Sequence, residues 1–212
     1  DWKPVTLRQL LTDTAGAPKN FPIEVRLQQP LLGPQCTQMR RKAVLNVIAA
    51  PPTYPPGTKF EYSNVGYTIA AAMAEKVTGD TWEDLVKREV YEPLNLTESG
   101  FGPPRSDHTL PQPRGHRKVL AGKVSVDDLT DNTLIMAPSG AVHMTLDNLC
   151  VYAREHLQGE LGTGKLLADE TFKELHAPEL DAYACGWLKL EPSVRLPYTA
   201  HWHNGSNTMW YA

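Results

Sequence analysis

The chain has 212 residues, 41% of them hydrophobic, and a formal net charge of −3 at pH 7. That length supplies one large domain or two small ones. The slight acidity and the lack of a basic run argue against a nucleic-acid partner, and no apolar stretch approaches the roughly 20 residues that span a bilayer.

In chain order, "TLRQLLTDTAG" (6–16) starts on a Thr cap, repeats Leu at 7, 10 and 11, and predicts a short helix closed by Gly16. Residues 17–34 read as irregular. "TQMRRKAVLNVIAA" (37–50) places Met39, Val44, Val47 and Ile48 at near-helical spacing, and Pro51-Pro52 ends it. Arg40, Arg41 and Lys42 within it read as a solvated helix face. "TKFEYSNVGYTIAAAMAEKVTG" (58–79) carries Val65, Ile69, Met73 and Val77 on one stripe and stops at Gly79. "TWEDLVKREVYEPLNL" (81–96) is a further helix, with Pro93 as its end.

Residues 97–135 are proline-rich and read mostly as loop. "APSGAVHMTLDNLCVYAREHLQG" (137–159) reads as a turn, a short extended piece and a helix capped by Thr145, with Leu146, Leu149, Tyr152 and Ala153 as its apolar stripe. "ADETFKELHAP" (168–178) is the last helix. "AYACGWLKLE" (182–191) and "YTAHWHNGSNTMWYA" (198–212) read as two antiparallel strands, the second without a return partner. A bare apolar edge invites pairing. Strand-mediated self-association or a complementing segment is therefore expected, with further sequence at both ends. The division is a mostly helical part, 1–178, and a partial sheet, 179–212. Cys36, Cys150 and Cys185 form no C-x-x-C and are expected to be buried free thiols.

Two constellations carry chemistry. Tyr62-Ser63-Asn64 stands at the mouth of a helix. Read alone, Ser63 or Asn64 caps the helix and Tyr62 packs as a staple. Read as chemistry, the phenol relays a proton when a cation or a hydrogen-bond chain supports it, and Asn64 holds a substrate amide. His203-Asn204-Gly205-Ser206 is either an edge-strand bulge or a site where Gly205 admits a ligand and His203 meets a carboxylate. His201 and His203 share a strand face, but no third ligand follows at convincing spacing, so no metal or other cofactor is expected. His143, Asp147 and His156 read as surface or capping residues.

Taken together, "TLRQLLTDTAG", "YPPGTKFEYSNVGYTIAAAMAEKVTG", "YEPLNLTESGFG", "APSGAVHMTLDNLCVYA", "YACGWL" and "HNGSNTMWYA" resemble the serine β-lactamase and penicillin-binding-protein superfamily. The likeness is greatest to its class C β-lactamase, D,D-peptidase and esterase branch. It implies an α+β fold: a mainly helical domain plus an incomplete antiparallel sheet. It also implies a serine hydrolase acting through an acyl-enzyme on a small-molecule amide or ester, in the periplasm or secreted. Tyr62 and Asn64 match the branch's Tyr-x-Asn element, and His203 and Gly205 its His-x-Gly element. By that resemblance Tyr62 moves the nucleophile's proton and Asn64 orients the substrate amide. His203 serves the substrate carboxylate, and the Ser206 N–H is half of the oxyanion hole.

The family's Ser-x-x-Lys element does not occur: none of Ser63, Ser99, Ser106, Ser125, Ser139, Ser193 and Ser206 is followed three residues later by Lys. The resemblance places that element before residue 1. The expectation is the middle of a longer enzyme, inactive by itself for want of its nucleophile. The alternative is a non-catalytic binding or assembly domain on the same scaffold.

Overall fold

Thr6 opens helix α1 (Leu7–Leu11) with a reciprocal cap in which its hydroxyl accepts from the Gln9 N–H and the Gln9 side chain accepts from the Thr6 N–H. In the computed structural model, which describes residues 1–104, 113–120, 122–127, 130–207 and 209–212, α1 ends at Leu11 rather than at Gly16. Asp13 and Gly16 both take positive φ, 55° and 76°, so the chain turns before the glycine is reached. The turned segment then pairs with a later stretch. Gly57 N–H bonds Thr14 O (2.8 Å), Thr53 N–H bonds Gly16 O (2.8 Å), and Glu61 N–H bonds Asp13 O (2.9 Å). These bonds set the approach to Tyr62.

The expected irregular stretch contains one helical turn, α2 (Ile23–Arg26). Helix α3 (Pro34–Ile48) starts on Pro34, whose missing N–H costs nothing at a first helical turn. Helix α4 (Asn64–Thr78) runs between a Ser63 cap and a left-handed Gly79 at φ 83°. Its predicted stripe is half right. Val65 and Ile69 are buried, while Met73 and Val77 lie 44% and 86% exposed. The inner face turns instead through Gly66, Thr68, Ala71 and Glu75.

Glu75 explains that turn. It receives Arg40, which is fully buried rather than part of a solvated face, although Arg41 and Lys42 are exposed as expected. The Arg40 guanidinium pairs with Glu75 and with Glu83 (2.6 Å), the latter on α5 (Trp82–Val86). Pro93 does not end the next helix. The chain widens into a π turn over Lys87–Tyr91 and continues through α6 (Glu92–Leu94), with Pro93 in its first turn and Asn95 left-handed at the end. A proline has no N–H to return to the preceding turn, and a local π widening absorbs that loss.

Among the described residues, three two-stranded antiparallel ribbons accompany the helices. Strand β1 (Ser99–Phe101) pairs with β4 (Val142–Met144), and β2 (His116–Val119) pairs with β3 (Gly122–Ser125). Strands β1, β2 and β3 add short extended pieces to the stretch read as mostly loop, 97–135, part of which lies outside the described residues, and β4 is the short extended piece expected within 137–159. Leu134–Met136 form a 3₁₀ turn and Ala137–Gly140 a short helix, α7. Helix α8 (Leu146–Glu160) is capped by Thr145, which accepts from Asn148 N–H, and helix α9 (Asp169–Leu175) packs on it. Leu146 and Leu149 stay exposed, and α8 buries Asn148, Glu155 and Gly159. Glu155 holds the loop into α9 by accepting from the N–H groups of Lys165 (2.5 Å) and Leu166 (2.8 Å).

A Cβ placed on Gly159 would lie 2.2 Å from the Phe172 ring. Gly159→Ala is expected to lower the urea-derived stability by about 1–3 kcal/mol, because the ring must leave its site. An unchanged midpoint would show that α8 and α9 do not approach this closely.

Strands β5 (Leu188–Leu190) and β6 (Ala200–Trp202) pair as expected but are shorter than predicted. The stretch after β6 is not a bare strand. Gly205 and Ala212 exchange both backbone hydrogen bonds at 2.9 Å, and Ser206 bridges Tyr211. The main core gathers Leu10, Phe21, Val44, Val65, Ile69 and Ile135 with their neighbours. All three cysteines are free, but only Cys36 is buried, Cys150 being exposed. Among the described residues no helix is long and apolar enough to cross a membrane.

Candidate active site

Ser63 is committed to structure. Its Oγ accepts from Gly66 N–H (2.9 Å) and donates to Pro18 O (2.7 Å), and the residue is 2% exposed. That settles its part as the cap of α4. It also fixes the residues on either side. Asn64 N–H bonds Lys19 O (3.0 Å), and its side-chain amide donates to Asn20 Oδ1 (2.8 Å). Tyr62, 37% exposed, sets its ring edge-on against Tyr183 at 6.1 Å between centroids.

Tyr183 is the residue that sequence reasoning missed. It is 5% exposed and its ring meets Phe60, Tyr62 and His203. Its hydroxyl lies 3.4 Å from His203 Nε2 and 3.4 Å from the Tyr67 hydroxyl. Tyr67 in turn donates to Leu11 O at 2.7 Å. With that proton committed, a bond between the two phenols requires Tyr183 to donate and leaves Tyr183 an acceptor toward a His203 Nε2–H; both contacts, at 3.4 Å, are longer than ordinary hydrogen bonds. Its sequence signal was its place at the start of "YACGWL", a segment of the family resemblance that assigns the tyrosine no role.

Tyr62 and His203 thus converge on one ring. Asn64 belongs to the same helix mouth but turns to Asn20. Gly205 and Ser206 lie beyond His203, where the chain folds back on Tyr211 and Ala212. His201, two residues before His203, has different partners: its Nε2 faces Glu160 (3.0 Å).

The electrostatics of this region are those of a protonated site. Burial, and to a lesser degree the neighbouring Asp13 carboxylate, push the Tyr62 phenol above its ordinary range. Burial pushes Tyr183 and Tyr67 up as well. None of these phenols is a base unless a cation is added beside it.

Asp13 is the second residue missed. It is 2% exposed, and neither carboxylate oxygen has a partner at hydrogen-bond geometry. Burial pushes its carboxyl up to about 8, and the nearby Ser63 backbone amide opposes this only in part. The folded chain therefore keeps a proton that the unfolded chain releases near pH 4. The stability contributed by this protonated acid is whole below about pH 4 and is lost as pH rises to about 8. Asp13→Asn should remove that slope. The check is the difference in urea midpoint between the two proteins across that window; a difference that stays constant contradicts a buried neutral acid.

Residues 1–205 match the family profile described as Beta-lactamase. The chain belongs to the beta-lactamase family. This beta-lactamase-family chain is 24% identical over 188 residues to a putative D-alanyl-D-alanine carboxypeptidase of Salmonella enteritidis, covering 79% of this chain and 44% of that relative. It is 29% identical over 103 residues to the lovastatin esterase of Penicillium rubens, covering 48% of this chain and 25% of that enzyme. Among solved structures it is similar to a D-stereospecific amidohydrolase from a Streptomyces species, with a TM-score of 0.73 at 24% identity, covering 97% of this chain and 62% of that one. The beta-lactamase-like α+β fold is therefore shown, and the chain spans less than half the length of these two curated relatives.

Proposed function

We propose that the whole protein is a serine hydrolase that opens amide or ester substrates through an acyl-enzyme, and that this chain supplies its proton relay and substrate clamp. The substrates would be β-lactam, peptidoglycan-peptide or small-ester in type; the carboxypeptidase and esterase relatives support the last two. The observation that carries the reading is the convergence of Tyr62 and His203 on Tyr183. Two motif residues distant in sequence meet on one buried ring, His203 through a hydroxyl contact and Tyr62 through the edge of its own ring.

In the proposed step a serine hydroxyl attacks the substrate carbonyl and passes its proton to the Tyr62 oxygen. Tyr62 must be a phenolate, or be made one by a cation, to accept that proton. Its raised pKa in this chain argues that the cation comes from outside residues 1–212 together with the nucleophile. Asn64 would hold the substrate amide from the helix mouth. His203 would meet the substrate carboxylate, and the Ser206 backbone N–H would stabilise the oxyanion.

The 212-residue chain by itself should show no turnover of a chromogenic cephalosporin or a nitrophenyl ester. Turnover that survives Ser206→Ala and disappears in Tyr62→Phe would sink the proposed inactivity. One observation favours the other reading, a non-catalytic binding domain: the double backbone bond between Gly205 and Ala212 ties the segment after β6 back on itself. That reading requires a monomer on size exclusion and resistance to limited proteolysis over residues 178–212. A cut or self-associating terminal segment excludes it.

A further inference from the structure

Away from Tyr62, three side chains that sequence spacing does not connect come together. Glu160 is the last residue of α8, His176 caps the end of α9, and His201 is the middle residue of β6. Glu160 Oε1 lies 2.8 Å from His176 Nδ1 and 3.0 Å from His201 Nε2. One atom from each residue falls within 4.8 Å of the others. The two imidazole rings stack at 4.3 Å between centroids. The side chains of His176 and His201 are 2% and 8% exposed and that of Glu160 is 33% exposed, so the cluster is walled on the histidine side and reachable on the carboxylate side.

We propose that Glu160, His176 and His201 form a binding site for a divalent transition-metal ion of the zinc class. Two imidazoles and one carboxylate are a donor set that zinc takes with a water in the fourth position. Zinc–ligand bonds of about 2.0–2.2 Å put neighbouring tetrahedral ligands about 3.3 Å apart. The two Glu160 contacts need to open by only a few tenths of an ångström to reach that spacing, and the two imidazole nitrogens start within 4.8 Å of each other.

For His176 the surroundings supply the outer support that metal-bound histidines use. His176 Nε2 lies 2.9 Å from His156 Nδ1. Once His176 Nδ1 binds the metal, its proton sits on Nε2 and is donated to His156, which fixes both tautomer and ring plane. His156 is itself gripped by Tyr152, Phe172 and Trp187. His201 Nδ1 is buried without a partner, so Nε2 is the atom by which that ring is held. No net proton is released when a neutral imidazole shifts its hydrogen to the other nitrogen.

The site fastens α8, the end of α9 and β6 at one point. His203, Gly205 and Ser206 follow His201 on the same backbone, so metal occupancy would steady the segment that carries them. His201 and His203 were the pair that sequence spacing offered for a metal. The structure gives His201 a different set, while His203 turns to Tyr183. The proposal rests on these three side chains and does not depend on the hydrolase reading.

The test is calorimetric titration of the metal-free chain with zinc chloride, repeated with cobalt(II) to read visible d–d absorption. One zinc per chain is expected, with a tetrahedral cobalt spectrum and a rise in melting temperature. His201→Gln should abolish stoichiometric binding, and His156→Gln should weaken it about 10- to 100-fold. Glu160→Gln keeps the shape of a partly exposed residue and should also lose the site, which decides the matter if a histidine variant fails to fold. Cys150→Ser should bind like the parent, because that exposed thiol is outside the set. No stoichiometric zinc on the folded parent, or binding unchanged in Glu160→Gln, overturns the proposal and leaves a carboxylate merely hydrogen-bonded between two histidines.

Discussion

Arg40→Met should lower the stability of this chain by about 3–5 kcal/mol, read as a large fall in the urea midpoint with little dependence on salt. The guanidinium is fully buried and spends its donors on five neighbours. It bonds Ile135 O (3.2 Å), Leu134 O (3.0 Å), Cys36 Sγ (3.7 Å), Glu83 (2.6 Å) and Glu75. Burial works against its charge, and the Glu83 and Glu75 carboxylates more than offset that. Removing the cation strands two carboxylates that already have one oxygen each without a partner. Glu75 Oε1 also receives Thr37 Oγ1 (3.1 Å) and Trp82 N–H (3.0 Å), so the start of α5 loosens with it. Arg40→Lys should not rescue, because one ammonium cannot reproduce the planar fork that serves α4, α5 and the 3₁₀ turn together. Replacing Arg40, Glu75 and Glu83 together by apolar groups should recover most of the loss. A midpoint that hardly moves in Arg40→Met would mean the cluster is not dry.

Tyr62→Phe, made in the whole protein, should lower kcat/KM by about 10²- to 10⁴-fold, the range in which a positioned proton relay contributes. The loss should fall mainly on kcat, because the ring and its contact with Tyr183 remain. Tyr183→Phe is the informative partner. It keeps the buried ring but removes the hydroxyl that lies between His203 and Tyr67. Its loss should change the pH profile more than the KM. A Tyr62→Phe enzyme that keeps most of its activity would remove Tyr62 from the proton path.

The helix mouth was legible because its signals are local. Ser63 as a cap and Gly79 as a left-handed stop are read within one turn of the residue concerned. The family order of motifs was legible for the same reason, each motif being a short string. What stayed hidden depends on long-range partners. Arg40 reads as surface until Glu75 and Glu83 arrive from two other helices. Tyr183 and Asp13 have no spacing signature, and their meaning comes from the rings and buried volume around them. The β2–β3 ribbon escaped because its residues are almost all exposed, so no alternation marks a buried face. Glu160, His176 and His201 come from three separate elements, a helix end, a helix cap and a strand, which no ligand-spacing rule joins.

The proposed function puts the relay and clamp of a serine hydrolase in residues 1–212 and its nucleophile elsewhere in the protein. Acylation by a labelled β-lactam or a fluorophosphonate, followed by intact mass and peptide mapping, tests it most directly. The account predicts no adduct on the 212-residue chain and a single adduct on the whole protein, at a serine outside these residues. An adduct on Ser63, Ser139 or Ser206 of the isolated chain, lost on substitution of that serine, would contradict it.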